Sequence, residues 1–183
     1  KDIRSHNYKI QSNLDYIPSN DFSMYDQILD FTHSMNLVPD RYTRLNLPKT
    51  EEYFAMARGY QKDGKDVVAM EMTKYFDTNY HYIVPEFDEA RFNPSFAGES
   101  AKIVQNFKEA KDLGYTTRPV IIGPVTYLYL AKKQNPSAFI EKLTKEYLNV
   151  FTALKNAGCT DIQIDEPLLV MDICDKYKDA YKS

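Results

Sequence analysis

Apolar residues recur at helical spacing in four segments of the chain. The pattern predicts helices at about Met24–Met35, Glu51–Arg58, Glu99–Leu113 and Pro136–Ala157. The last segment is the strongest, because its apolar positions form one continuous stripe. We expect Ser23 to cap the first helix, Asn135 to cap the last one, and Gly158 to end it in a left-handed conformation.

Short apolar runs between these segments predict four strands, at Asp15–Pro18, Val67–Met72, Pro119–Ile122 and Asp161–Asp165. Strands that alternate with helices are typical of βα units, which form a parallel sheet. We therefore expect an α/β fold with about four parallel βα units, part of a (β/α)8 TIM-type barrel. A closed barrel of this type has about 250 residues, so 183 residues are too few to close one. No linker or repeat divides residues 1–183, which we expect to form a single domain.

The composition is that of an ordinary globular protein. Hydrophobic residues make up 43% and charged residues 27% of the chain, which argues against disorder. No stretch approaches the ~20 apolar residues of a membrane span, and no signal peptide is visible. A net charge of −3 that is scattered along the chain is not typical of a nucleic-acid binder. We expect a cytoplasmic protein with no membrane or nucleic-acid partner.

Metal binding by this chain is not expected. Its two cysteines, Cys159 and Cys174, have no close Cys or His neighbour, so the spacing of a zinc site is missing. We interpret both as free thiols in a reducing compartment, although a disulfide between them stays open.

The segment Glu71–Glu86 is the densest in chemical groups and follows a predicted strand. Lys74 could bind a carboxylate or phosphate, Asn79 could pair with the amide-like edge of a heterocycle, and His81 could act as an acid or donor. Such a loop at the carboxyl end of a strand fits a ligand site. A solvated loop over partly buried tyrosines accounts for the composition equally well.

A second candidate is the acidic pair Asp165 and Glu166, at the end of the last predicted strand. These carboxylates could orient hydroxyl groups or supply a general base, or one of them could merely cap the next helix. A barrel hydrolase that pairs Glu71, Glu86 or Glu166 is a further hypothesis. After another strand, Gly123 allows a tight turn or a close ligand approach.

Taken together, these segments resemble cobalamin-independent methionine synthase, in particular its N-terminal half. The resemblance lies in residues 20–26, 54–59, 71–86, 122–128 and 163–167, which occur in the family's order and span most of the chain. The run 71–86 is long enough to be specific. Tyr75 stands where the family usually has Trp, which keeps an aromatic ring at this position.

The resemblance implies an enzyme of methionine biosynthesis that moves the methyl group of 5-methyltetrahydropteroyl polyglutamate to homocysteine. It implies two facing barrels, with zinc in the C-terminal barrel and no cobalamin. Lys74 and Asn79 would contact the folate, with His81, Asp165 and Glu166 as further site residues. The chain would be an internal portion of the N-terminal barrel, without zinc ligands or catalytic residues, partnered by the C-terminal barrel and inactive alone. The alternative is a non-catalytic ligand-binding or scaffold barrel module.

Overall fold

The computed structural model describes residues 2–98, 101–133, 135–173 and 175–182. The helices are α1 Asp2–Gln11, α2 Gln27–Ser34, α3 Asp40–Thr43, α4 Lys49–Arg58, α5 Lys102–Asp112, α6 Pro124–Leu130, α7 Ser137–Asn156 and α8 Asp175–Ala180. The strands are β1 Tyr60–Lys62, β2 Lys65–Val67, β3 Met72–Lys74, β4 His81–Ile83, β5 Val120–Ile122 and β6 Gln163–Asp165. A 3-10 helix covers Pro167–Val170.

All four predicted helices are present as α2, α4, α5 and α7, with boundary corrections. Asp26, not Ser23, caps α2, because its side chain accepts from the first amide groups of the helix. Pro136, not Asn135, holds the N-cap position of α7 and makes no side-chain cap bond. Gly158 follows α7 at φ 91°, the left-handed stop that the sequence predicts. The predicted start of α5, Glu99, lies outside the described residues.

A parallel sheet forms from two of the predicted strand regions and the end of a third. Strand β5 pairs with β6 in parallel register, Val120 opposite Gln163. On the other side of β5, Pro18 forms a parallel bridge with Arg118. Asn20 extends this pairing through its side chain, whose amide group donates to the carbonyl oxygen of Val120 and accepts from its N–H.

The prediction of four parallel strands is wrong in the region of Val67–Met72. This segment is divided between two antiparallel hairpins, β1–β2 and β3–β4. Asp63 and Gly64, at φ 54° and 73°, turn the chain between β1 and β2. Asp-Gly is a strong two-residue hairpin signal because both positions tolerate positive φ. The molecule is thus a mixed helix and strand structure with small sheets, compatible with an α/β class.

Two apolar clusters meet at strand β4. The larger one joins β5 to helices α2, α5, α6, α7 and α8, and it includes Tyr82. The second surrounds α4 and includes Ile83. Because adjacent residues of a strand point to opposite faces, Tyr82 and Ile83 are buried in different clusters, while His81 at the start of β4 is exposed. The hairpin β3–β4 therefore has a firmly packed base.

Apolar side chains are exposed in and after β6. Ile164 is 46%, Leu169 63%, Val170 90% and Met171 43% exposed. Among the described residues, β6 pairs with β5 alone, so it is an edge strand with apolar neighbours. No helix in the described ranges is long and apolar enough to cross a membrane.

Candidate functional site

The polar segment of the sequence analysis forms the hairpin β3–β4. Lys74 lies directly opposite His81 in the antiparallel register, so the two side chains share one face with Cβ atoms about 4.5–5.5 Å apart. The loop between them closes through a bond from the N–H of Tyr75 to the carbonyl oxygen of Tyr80, 2.7 Å long. Lys74, Asn79 and His81 are all exposed. The hairpin therefore brings three predicted site residues together on an accessible surface.

Local bonds orient the tip of this hairpin. The Nδ1 atom of His81 lies 2.9 Å from the carbonyl oxygen of Asn79, which leaves the Nε2 atom on the other side of the ring. The hydroxyl of Thr78 donates to the carbonyl oxygen of Tyr75 at 2.7 Å. These short-range contacts hold the loop without using the Lys74 ammonium or the Asn79 side chain.

Lys74 differs from a lysine nearby in the fold. Lys132 forms an ion pair with Glu71 at 2.5 Å, whereas Lys74 has no ion-pair partner among the described residues. An exposed ammonium without a carboxylate neighbour keeps its donors available for an anion. This availability makes Lys74 the strongest single candidate for ligand contact.

Aromatic side chains support the hairpin from below. The Tyr75 ring centroid lies 4.8 Å from that of Phe76 and 6.0 Å from that of Tyr82. Phe76 stacks on Tyr129 of α6, with ring planes 9° apart. Burial, together with the charges of Asp165 and Glu166, raises the pKa of Tyr75 to about 12. The polar residues of the hairpin tip are thus exposed next to a partly buried tyrosine cluster, and the ligand-site interpretation stays a prediction.

Asp26 ties the hairpin to helix α2, and the sequence analysis did not single it out. Its Oδ1 atom accepts from the N–H groups of Ile28 and Leu29, at 2.7 and 3.0 Å. Its Oδ2 atom accepts from the N–H of Ile83 in β4 at 3.1 Å. Burial raises the pKa of Asp26 to about 6, against the lowering effect of these three backbone donors. An Asp followed by an apolar helical pattern is a recognisable cap signal, but the sequence gives no sign of the bond to β4.

Asp165 lines a cavity to which the hairpin residues Lys74, Asn79 and His81 do not contribute. Asp165 ends β6 and accepts a bond from the side chain of Gln163 at 2.8 Å. The cavity has a volume of about 390 Å³, and its other walls include Asn20, Asp30 and Lys102. The three hairpin residues are therefore not part of this cavity's wall, although Asp165 lies close enough to the hairpin for its charge to raise the pKa of Tyr75.

The Glu166 carboxylate accepts several hydrogen bonds from groups within the fold. Its Oε1 atom accepts from the N–H of Val125 at 3.0 Å, and its Oε2 atom accepts from the N–H of Thr126 at 2.9 Å. Oε2 also accepts from the hydroxyls of Thr126 and Tyr181. Glu166 thus caps helix α6 rather than the helix that follows it. A Cβ atom on Gly123 would lie 2.1 Å from the Glu166 Cδ atom, so the close approach that this glycine permits is that of Glu166.

The carboxylates proposed for a hydrolase are engaged in three different interactions. Glu71 pairs with Lys132, and the Glu86 carboxylate accepts hydrogen bonds from the Nη1 and Nη2 atoms of Arg41 at 2.6 and 2.9 Å. Glu166 caps α6. No observation favours a paired acid and base among them.

Metal-ligating groups do not gather in the part of the chain that the structure describes. No group of three His, Cys, Asp or Glu residues there is placed to hold a metal ion. The Sγ atom of Cys159 donates to the carbonyl oxygen of Asp161 at 3.2 Å, and burial raises the pKa of this thiol. Cys174 lies outside the described residues.

Comparison with known proteins identifies the family. Residues 1–183 match the family described as cobalamin-independent synthase, N-terminal domain. The chain belongs to this family. It is 47% identical to the 5-methyltetrahydropteroyltriglutamate–homocysteine methyltransferase of Flavobacterium johnsoniae, over 99% of this chain and 24% of the relative. The proteins of the same name from Candida albicans and Saccharomyces cerevisiae are 43% and 44% identical, over 99% and 94% of this chain and 26% and 24% of their own lengths.

These matches confirm the resemblance seen in the sequence motifs. The chain spans about a quarter of the length of the curated relatives that it matches. Similarity to these relatives extends over nearly the whole chain and includes the hairpin β3–β4 and the strand end at Asp165.

Proposed function

We propose that this chain supplies a folate-binding part of a methyltransferase that moves a methyl group from 5-methyltetrahydropteroyl polyglutamate to homocysteine to form methionine. Family membership supports the reaction, because the relatives carry the name of that methyltransferase. The observation that carries the binding role is the exposed Lys74 ammonium, without an ion-pair partner among the described residues. The chain would contribute binding and no catalytic group, and would be inactive alone.

The hairpin's chemistry fits the two ends of such a ligand. A polyglutamate tail offers a row of carboxylates, and the Lys74 ammonium is a point charge suited to them. His81 lies opposite Lys74 and adds a ring donor to the same face. The Asn79 amide can donate and accept at once, which suits the amide-like edge of a pterin ring. We therefore propose Lys74 and Asn79 as folate contacts and His81 as their neighbour in the site.

Asp165 and Glu166 have different roles in this proposal. Asp165 would face the ligand-bearing side from the end of β6, since its charge contributes to the raised pKa of Tyr75 beneath the hairpin. Glu166 would act through the structure alone, because its oxygens already accept from α6.

We further propose that the parallel strands are one side of a (β/α)8 barrel completed by the rest of a longer polypeptide. The spatial order of Pro18, β5 and β6, with helices packed on β5, supports this arrangement. The exposed apolar residues at the β6 edge are also those that a neighbouring strand and helix would cover. The C-terminal barrel of the same polypeptide, holding homocysteine, would be the partner, in the cytoplasm.

The family resemblance also implies zinc, which activates a thiol by stabilising its thiolate form when bound. The residues that the structure describes do not fit such a site, since no three ligating side chains converge there. We therefore propose that the zinc ligands of the parent enzyme lie outside this chain, and that cobalamin is not used.

Substitution of Lys74 in the longer polypeptide tests the binding role. Lys74→Ala should raise the Kd for the triglutamate folate about tenfold to a hundredfold, the effect expected for a charge-assisted hydrogen bond. The Kd for homocysteine should not change. Calorimetric titration with each substrate measures both values, and Lys145→Ala, an exposed lysine on α7, is the matched control. Equal weakening of both substrates would indicate general disruption of the protein, and no weakening at all would favour the scaffold alternative.

A further inference from the structure

Two backbone donors join the β3–β4 hairpin to the start of helix α2. The N–H of Ile83 donates to the Asp26 Oδ2 atom at 3.1 Å. The N–H of Gln27 donates to the hydroxyl oxygen of Tyr80 at 3.2 Å. Tyr80 immediately precedes His81, and Ile83 follows it by two residues. The two bonds therefore lie on either side of His81 along the chain.

Asp26 performs two tasks with one carboxylate. Its Oδ1 atom caps α2 through Ile28 and Leu29, and its Oδ2 atom holds Ile83 of β4. The residue is 1% exposed, and burying a carboxylate costs free energy unless hydrogen bonds satisfy it. Capping alone does not require a carboxylate, since Asn or Ser caps a helix as well. The acceptor on the β4 side is what distinguishes Asp from Asn here, because an Asn would present N–H donors to the N–H of Ile83.

On the β3 side the tip of the hairpin is held by ring contacts, since Phe76 stacks on Tyr129 of α6, whereas on the β4 side the bonds to α2 hold it. The base of the hairpin is held by the burial of Tyr82 and Ile83 and by a bond from the N–H of Val84 to the carbonyl oxygen of Glu71. The tip, with Asn79, Tyr80 and His81, is exposed. A bond between α2 and the tip thus limits how far the exposed residues can swing against the folded body.

We propose that Asp26 is a positioning residue for the folate site, acting with the Tyr80 hydroxyl to hold the hairpin against α2. In this arrangement Lys74, Asn79 and His81 are presented to the ligand in one orientation. The inference rests on the proposed function, since it assigns Asp26 a role through the hairpin residues and gives Asp26 no ligand contact of its own.

The test compares variants in the longer natural polypeptide, with the KM for triglutamate folate, the KM for homocysteine and kcat measured together. Asp26→Asn keeps a good cap for α2 and removes the acceptor for Ile83. It should raise the KM for the folate about threefold to tenfold, the effect of losing one hydrogen bond, and leave the KM for homocysteine unchanged. Tyr80→Phe should raise the KM for the folate about twofold to fourfold.

A double-mutant cycle separates positioning from general loss of structure. If Asp26 acts by holding Lys74, Asp26→Asn should add less than twofold once Lys74 is already Ala. A purely structural effect would multiply with that of Lys74→Ala. Tyr8→Phe is the matched control for Tyr80→Phe, since it removes a hydroxyl bond to the carbonyl oxygen of Ser19, away from the hairpin. It should leave both KM values unchanged.

Different results would contradict the positioning role of Asp26 and the proposed folate-binding function. An unchanged KM for the folate in folded Asp26→Asn, or fully multiplicative effects in the cycle, would overturn the positioning role while Lys74→Ala still weakens folate binding. A normal folate affinity in Lys74→Ala would overturn the proposed function itself. If Asp26→Asn does not fold, Tyr80→Phe decides, because Tyr80 is 42% exposed and its substitution leaves the core intact.

Discussion

The β3–β4 hairpin and the end of strand β6 both carry charged side chains, but they use them in opposite ways. On the hairpin, Lys74 is exposed and lacks an ion-pair partner among the described residues. At the end of β6, the Glu166 carboxylate accepts four hydrogen bonds from Val125, Thr126 and Tyr181. A carboxylate whose acceptor sites are occupied stabilises the fold and has little capacity left for a ligand. Availability, more than residue type, separates a binding group from a structural one.

The largest expected effect is the loss of stability when Glu166 is replaced. Glu166→Ala leaves the first N–H groups of α6 without their acceptor, and we expect a loss of about 2–4 kcal/mol in the free energy of unfolding, since bonds to charged groups are each worth about 1.5–3 kcal/mol. Urea unfolding of the chain measures this loss. Glu141→Ala, at an exposed position of α7, is the control and should change stability by less than about 0.5 kcal/mol. Unchanged stability combined with lost folate affinity would make Glu166 a binding residue.

Asp26, which is buried and bonded to the hairpin, should make the stability of the fold depend on pH. Its pKa in the folded state, about 6, lies above the ordinary value of 3.8, so the stability linked to its proton is complete below about pH 3.8 and is lost as pH rises through 6. Relative to Asp26→Asn, the wild-type chain should lose about 2–3 kcal/mol between pH 4 and 7. Urea unfolding of both proteins across this pH range measures whether the wild-type chain loses stability relative to the variant as pH rises. A difference in the free energy of unfolding that stays constant with pH would contradict the prediction.

Replacement of Lys74 should lower folate affinity without lowering stability, the reverse of what we expect for Glu166. Because its side chain is exposed and makes no ion pair in the described part of the chain, Lys74→Ala should change the free energy of unfolding by less than about 0.5 kcal/mol, despite its large effect on folate affinity. Thermal or urea unfolding provides the measurement. A substantial loss of stability would mean that the ammonium has a structural role, and the contrast between the two regions would fail.

Only a small effect on folate affinity is expected at His81. It shares a face with Lys74 but is bonded at Nδ1 to the carbonyl oxygen of Asn79, so one nitrogen is left for a ligand. His81→Gln should weaken binding of the triglutamate folate about twofold to fivefold, as for an exposed polar contact. Comparison with the monoglutamate locates the contact, since loss confined to the triglutamate would assign His81 to the tail. An equal loss for both would assign it to the ring.

The sequence predicted those parts of the fold that depend on local pattern. The stripe of apolar residues in α7 and the Gly158 stop are local signals, and both are present. The segment Val67–Met72 was misassigned as one buried strand because a short apolar run does not reveal its pairing partner. The Asp63-Gly64 turn was available as a hairpin signal and would have corrected the interpretation.

By itself, the sequence determined four of the eight α-helices in the described residues, the family and the polar segment that holds Lys74, Asn79 and His81, because these follow from periodicity and from contiguous motifs. Only the tertiary structure decided which charged groups are free. Glu166 accepts a hydrogen bond from the N–H of Thr126 in α6, 40 residues away in the chain, and Asp26 accepts one from the N–H of Ile83, 57 residues away. Such contacts depend on which surfaces the packed clusters bring together, and no local pattern of residues encodes them.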